Sequence, residues 1–184
     1  FFVYIAAFGL FTDVSYETKQ SVKNVLGHLA YILEGAKSIF NIPSYHVKVT
    51  YEDQVIEEDF MFGMVTNSRS VGGFQGIIGK DVVFDDGEFE VTLIKMPKNP
   101  LELNEIIAAI LIRQIDSKHI YSFRTGKIRF ESLEEIPWTL DGEFGGEHDI
   151  VNIMNRKQGL QIMVKESVKE DLSGALAGEM NSAD

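Results

Sequence analysis

The sequence predicts a mainly β (α+β) fold, an antiparallel β-sandwich-like domain with two main helices. Short stretches of alternating apolar and polar residues recur between turn-forming residues, a pattern typical of sandwiches. Two segments show instead the three-to-four-residue spacing of an amphipathic helix. With 184 residues, no internal repeat and no low-complexity linker, the chain suits one domain that buries about 70% of its unfolded surface.

The first half of the chain predicts a strand, a helix and a hairpin in that order. Residues 1–10 are apolar but too few to span a bilayer, and they are predicted as a strand. Residues 15–40 carry apolar side chains at helical spacing, with Ser15 or Asp13 as the N-cap. The period then becomes two, and residues 55–66 return as a second, more apolar strand.

The second half predicts another strand, the second helix and several short strands. Residues 88–93 alternate in polarity, and Asn99 and Pro100 are good N-cap and first helical residues for a helix that ends near Ile115. Short strands are predicted at residues 121–123, 126–131, 150–154 and 160–164. We therefore predict a β-rich domain over residues 1–168 and a polar tail over residues 169–184.

Charge and composition exclude several classes of function. The formal net charge of −11 argues against a nucleic-acid binder, which needs clustered Lys and Arg. It also disfavours attraction of the whole surface to anionic membranes, so a membrane contact is expected to be local, transient or supplied by another part of the polypeptide. The absence of Cys excludes disulfides and thiolate metal sites and favours an intracellular location. A start at an apolar strand without Met predicts a segment of a longer polypeptide.

The most informative motif is Asp141-Gly142-Glu143, which follows the only Trp and precedes a Gly pair. Two carboxylates two residues apart can share one site, where repulsion or burial enables one of them to act as a base. Glycines permit a ligand or another backbone to approach closely. Taken alone, Asp-Gly first of all predicts a hairpin turn, and catalysis is the alternative.

A second acidic segment contains Asp81, Asp85 and Asp86 before a Gly. These side chains and the carbonyl groups of a turn are hard oxygen ligands that Mg²⁺ or Ca²⁺ accepts. The spacing is not that of an EF-hand loop, and a solvated acidic turn remains the alternative. The four scattered His residues argue against zinc, and no G-x-S-x-G, Walker A or G-x-G-x-x-G motif is present.

The order of these motifs resembles the C-terminal β-rich domain of the diacylglycerol kinase catalytic family, which includes bacterial lipid kinases and sphingosine kinases. The resemblance covers residues 1–165, nearly the whole chain. The succession consists of Phe8-Gly9-Leu10-Phe11, the helix with Lys23, Gly27 and Ala30-Tyr31, the hairpin, Asn67 with Gly72-Gly73, Asp85-Asp86-Gly87-Glu88-Phe89-Glu90-Val91, the second helix and Asp141-Gly142-Glu143.

The resemblance implies transfer of the γ-phosphoryl group of ATP to a lipid hydroxyl. By match to the family motif, Asp141 would be the general base, and Glu143 would orient it or tune its charge. Asp85 and Asp86 would belong to a network of Mg²⁺ and water, with Asp81 as a further ligand. The Gly-Gly-Asp-Gly-Thr nucleotide motif of the family's N-terminal domain is absent, so this chain alone is expected to be inactive.

The resemblance also implies partners and a location. We expect a lipid substrate, ATP and a transient membrane surface as partners. The expected location is cytoplasmic, peripheral at the membrane. The resemblance does not decide whether the protein forms a homodimer. One alternative is a non-catalytic lipid-binding β-sandwich whose aromatic residues line a carrier pocket. Another is an interaction module stabilised by a divalent cation, in which Asp81, Asp85 and Asp86 form a structural site.

Overall fold

One antiparallel sheet contains all seven strands of the residues that the structure describes. The computed structural model describes residues 1–10, 42–68, 82–112, 117–161 and 163. The elements are β1 Ile5–Gly9, β2 Tyr45–Tyr51, β3 Gln54–Thr66, β4 Phe89–Lys95, α1 Pro100–Leu111, β5 Ile120–Thr125, β6 Lys127–Leu140 and β7 Glu143–Met154. The mainly β prediction is confirmed.

The strands β1 and β2 lie end to end between β3 and β6. Gly9 faces Phe62 of β3, and Tyr45 faces Phe60 of the same strand, so the two short strands occupy successive stretches of one edge. Both strands also pair with β6. The sheet continues through β4 to β5 on one side and to β7 on the other. Geometrically, β1 and β2 are two pieces of one interrupted strand.

The sheet curls strongly, which accounts for its sandwich-like character. Tyr51 of β2 and Phe123 of β5 are three strand spacings apart, about 14 Å in a flat sheet, yet their ring centroids are 3.8 Å apart. At the other extreme, Asn155 after β7 donates a hydrogen bond to the carbonyl of Glu88, just before β4. Gly126 carries the chain directly from β5 into β6.

Two hydrophobic clusters cover the two faces of the sheet. The helix α1 packs Leu103, Ile106 and Ile110 on one face, against β-strand residues such as Met61 and Ile94. The other cluster lies inside the curl, and its aromatic centre consists of Phe8, Phe60, Phe130 and Trp138. Alternate residues of β1 point to opposite clusters, so this strand is buried on both faces.

The hairpin of β6 and β7 is longer than the sequence indicates. The predicted strands at residues 126–131 and 150–154 are present, but both continue to the turn at Asp141. The sequence does not predict one continuous strand here, because the segment contains Pro137 and proline is rare inside sheets. Pro137 lies in the part of β6 between the residues that pair with β1 and those that pair with β2. Its lack of an N–H group therefore removes no hydrogen bond to either strand.

The prediction of two main helices is supported for one of them. The helix α1 begins after Asn99, whose side chain accepts the N–H groups of Leu101 and Glu102 as an N-cap should. The first predicted helix, residues 15–40, and the polar tail, residues 169–184, lie outside the described residues. The strand predicted at residues 160–164 is wrong where it is described, because Leu160 and Gln161 belong to no strand.

Candidate active site

A tight turn at Asp141 and Gly142 joins β6 to β7. Both residues have positive φ angles, 52° and 90°, as a two-residue type I′ hairpin turn requires. Open space surrounds the position where Gly142 would carry a Cβ, so the backbone conformation alone favours glycine there. The turn that Asp-Gly predicts is therefore real, and the chemical role of Asp141 depends on what surrounds its side chain.

The Asp141 carboxylate is held by the start of β1. Its Oδ2 accepts the backbone N–H of Val3 at 2.8 Å, and its Oδ1 accepts those of Tyr4 at 2.8 Å and Ile5 at 2.9 Å. The backbone N–H of Asp141 donates in turn to the Ile5 carbonyl at 2.8 Å. Because a carboxylate offers about four lone-pair positions, three donors leave one position for a further hydrogen bond.

Glu143 is exposed at the start of β7, opposite Leu140. No hydrogen bond or ion pair among the described residues joins its side chain to Asp141. The two glycines that follow accompany a register shift in the hairpin. A Cβ on Gly145 would lie 2.7 Å from the Leu140 Cγ, and Gly146 has a φ of 98°. The glycine pair thus permits close packing within the hairpin itself.

The loop before β4 contains Asp85 and Asp86. Asp85 is exposed. The Oδ1 of Asp86 accepts the N–H of Glu88 at 2.9 Å, and its Oδ2 pairs with the Arg124 guanidinium of β5. Asn155 donates its Nδ2 to the Glu88 carbonyl at 3.0 Å. The loop is therefore bound both to β5, through Arg124, and to the segment that follows β7, through Asn155.

Two residues, Tyr4 and Asn67, connect the Asp141 turn to this acidic loop. The Tyr4 carbonyl accepts the Thr66 Oγ1 hydroxyl at 2.7 Å and the Asn67 N–H at 3.1 Å. Asn67 then donates its Nδ2 to the Phe84 carbonyl at 3.1 Å. The turn and the loop therefore meet at one corner of the sheet. We call this region the acidic corner, defined as Tyr4, Asn67, Phe84, Asp85, Asp86 and Asp141.

Two oxygen groups of the acidic corner are candidate ligands for magnesium. Asp85 has an exposed carboxylate, and the buried Oδ1 of Asn67 has no hydrogen-bond partner among the described residues. Mg²⁺ usually takes one or two carboxylates and keeps several waters, so both groups are of the chemical type that it binds. Asp81 lies outside the described residues. Within the described residues, no three His, Asp or Glu side chains are grouped to hold a metal.

Glu90 is a further candidate site residue, which the alternating polarity of β4 does not indicate. Its neighbours Phe89 and Val91 are apolar, which predicts an exposed Glu90, yet the residue is 3% exposed because β4 is covered on both faces. Neither carboxylate oxygen makes a hydrogen bond within the described part of the chain. Burial raises the pKa of Glu90, and the Arg124 guanidinium opposes this rise. Such a perturbed buried carboxyl group is typical of functional sites.

A family model described as the YegS C-terminal NAD kinase beta sandwich-like domain matches residues 6–163. The chain belongs to this family. The match runs from β1 to beyond β7, so it includes the Asp141 turn and the Asp85–Asp86 loop. Membership in this family, together with the relatives named diacylglycerol kinase that are described next, confirms the resemblance to the C-terminal domain of diacylglycerol kinases.

Relatives and solved structures agree with this family. The chain is 29% identical to a diacylglycerol kinase of Staphylococcus carnosus over 92% of its own length and 55% of the relative's. It is 27% identical to a diacylglycerol kinase of Bacillus subtilis over 79% and 48% of the two chains. The chain thus spans about half the length of these relatives.

Two solved structures from Bacillus anthracis share the fold. One superposes with a TM-score of 0.65 at 24% identity, over 91% of this chain and 54% of the other. The second, a diacylglycerol kinase, gives 0.54 at 19% identity, over 85% and 47%. Among the described residues of this member of the YegS C-terminal family, no helix is both long and apolar enough to cross a membrane.

Proposed function

We propose that this chain is the substrate-side domain of a lipid kinase. The enzyme transfers the γ-phosphoryl group of ATP to a lipid hydroxyl, converting diacylglycerol to phosphatidic acid or acting on a related lipid. The observation that carries the proposal is the acidic corner, in which hydrogen bonds through Tyr4 and Asn67 join Asp141 to the loop of Asp85 and Asp86. The names of the relatives support the same reaction class.

In this proposal Asp141 is the general base that takes the proton from the lipid hydroxyl. Three backbone N–H groups fix the orientation of its carboxylate, and the remaining lone-pair position accepts the hydroxyl. Glu143 stands two residues away with an exposed carboxylate, and since no hydrogen bond among the described residues joins it to Asp141, its proposed part is to tune the charge of the base. A well-placed general base contributes about 10²–10⁴-fold to a rate.

The acidic loop would hold Mg²⁺ through Asp85 and Asp86, with Asp81 as a further ligand. When bound, the ion neutralises negative charge on the phosphates. The neighbouring residues of the chain orient these carboxylates. Asp86 is held by Arg124 and by the Glu88 N–H, whereas the carboxylate of Asp85 is exposed.

The proposal assigns ATP mainly to a domain outside this chain. Phosphoryl transfer depends chiefly on positioning and charge stabilisation, so one wall of a cleft has almost no activity alone. On the lipid side, large apolar side chains are exposed around the acidic corner, namely those of Val3, Phe84 and Phe144. They support a local, transient contact with a membrane surface by a cytoplasmic protein.

The direct test incubates the full-length protein with radiolabelled ATP, Mg²⁺ and vesicles that contain diacylglycerol. The proposal predicts labelled phosphatidic acid, and it predicts no label when this 184-residue chain is used alone. Absence of label with diacylglycerol and with related lipid alcohols would contradict a lipid kinase.

The same exposed apolar side chains also favour a second candidate, a non-catalytic lipid-binding sandwich. That protein would bind diacylglycerol without ATP or Mg²⁺ and label none of it. A cation-stabilised interaction module would instead show a melting temperature that rises with Mg²⁺ or Ca²⁺, without binding lipid.

A further inference from the structure

Arg124 on β5 is surrounded by three carboxylates. Its Nη2 pairs with the Oδ2 of Asp86 and lies 3.3 Å from the Oε2 of Glu88, and its Nε lies 3.6 Å from the Oε1 of Glu90. Three carboxyl groups therefore share one cation. In the absence of Arg124 the three carboxylates would repel one another.

The three contacts of Arg124 differ in kind. Glu90 belongs to a regular strand and lies directly opposite Arg124 in the pairing of β4 with β5. Its carboxylate is buried, and its backbone is paired on both sides, with β3 and with β5. Asp86 belongs to the loop, where its other oxygen accepts the Glu88 N–H. The guanidinium thus joins a fixed carboxylate in the sheet to a carboxylate in the loop, and its planar fork suits such a two-ended contact.

The register of the sheet connects Arg124 to Asp141 through a row of paired residues. Arg124 faces Glu90, Glu90 faces Thr66, and Thr66 faces Ile5. The Ile5 carbonyl accepts the N–H of Asp141. One row of residues across four strands therefore ends at Arg124 on one side and at Asp141 on the other.

We propose that Arg124 is a positioning residue for the loop that carries Asp85 and Asp86, with the buried Glu90 as its fixed counterpart. The inference rests on the proposed function and adds a residue that the motifs of the sequence do not indicate. Arg124 holds Asp86 against the sheet, and the adjacent Asp85 is thereby presented to solvent at the acidic corner.

The test uses Arg124→Gln in the full-length protein, with the exchange rate of the Glu88 amide as the first readout. This amide is bonded to Asp86, so release of the loop should accelerate its exchange about tenfold or more. The kcat should fall with little change in the KM for lipid, and Arg124→Lys should recover part of both effects. Arg129→Gln is the matched control, because Arg129 is an equally exposed strand arginine paired with Glu131.

A double variant separates positioning from stability. Arg124→Gln leaves Glu90 buried without a cation, which lowers global stability, and adding Glu90→Gln should restore that stability. Positioning predicts that the fast exchange of the Glu88 amide and the low kcat persist in the double variant. Full recovery of kcat together with stability would overturn the inference, as would an unchanged Glu88 exchange rate in Arg124→Gln. If exchange responds but the unmodified protein phosphorylates no lipid, the proposed function fails and the role of Arg124 in holding the loop stands.

Discussion

At the scale of single residues, the acidic corner depends on side chains that serve the fold and the proposed chemistry together. Asp141 closes a hairpin turn and binds three N–H groups that lie more than 130 positions away in the chain. Its turn conformation is predictable from Asp-Gly, because that preference is local. Its hydrogen bonds are not, because they depend on the placement of β1 beside β6. Glu90 shows the reverse case, a buried carboxyl group that alternation alone assigns to the surface.

Glu90→Gln should change the pH dependence of stability in a defined direction. Burial is the main cause of the raised pKa of Glu90, Asp86 and Glu88 add to the rise, and Arg124 opposes it. The folded state therefore holds this proton to higher pH than the unfolded state does, and stability is lost as pH rises through that interval. The variant has no such loss.

Urea unfolding of the two proteins at several pH values checks this prediction. The stability of Glu90→Gln relative to the unmodified protein should increase as pH rises from below the ordinary carboxyl range to neutrality. A relative stability that stays constant or decreases over this range would show that burial does not govern the titration of Glu90.

Two buried threonines provide a second residue-scale prediction. Thr66 donates its hydroxyl to the Tyr4 carbonyl at 2.7 Å, whereas the buried hydroxyl of Thr139 has no partner among the described residues. Thr66→Val should lower the free energy of unfolding by about 0.5–1.5 kcal/mol, because the Tyr4 carbonyl loses one donor and keeps the Asn67 N–H. Thr139→Val should be neutral or stabilising in the same denaturation experiment, and equal losses in both variants would contradict the hydrogen bonds described.

At the scale of elements, local patterns predict strands and α1 well and their extents less well. The helix start at Asn99 is correct because capping is a local interaction. The sequence does not predict a continuous β6, because a proline such as Pro137 normally excludes a central strand. Only the gap between β1 and β2 explains why this proline is tolerated. The end-to-end placement of β1 and β2 cannot be derived from periodicity, which contains no information about partners.

The N-cap of α1 offers a test of element stability apart from chemistry. Asn99 accepts the N–H groups of Leu101 and Glu102, both at 3.0 Å. Asn99→Ala should destabilise the protein by about 0.5–2 kcal/mol, while Asn99→Asp keeps the cap and most of the stability. Thermal unfolding measures both. Lipid phosphorylation by the full-length protein should be unaffected by either change, since no residue of α1 belongs to the acidic corner.

At the scale of the whole molecule, a curled sheet brings distant segments to one corner. The turn after β6, the start of β1, the end of β3 and the loop before β4 meet there through hydrogen bonds. The sequence motifs predict that Asp141 and the Asp85–Asp86 loop matter, because their order resembles a family to which the chain belongs. The route between them, through Tyr4 and Asn67, follows from strand register and becomes visible only in the folded chain.

The most direct test of the central claim compares kcat for Asp141→Asn and Gly142→Ala in the full-length protein. Both variants strain or weaken the same turn, since Gly142 has a φ of 90°, but only the first removes the carboxylate. We predict that Asp141→Asn lowers the rate of lipid phosphorylation by about 10²–10⁴-fold, while Gly142→Ala keeps most of the rate and loses mainly stability. Equal rates for Asp141→Asn and the unmodified protein would contradict Asp141 as the general base.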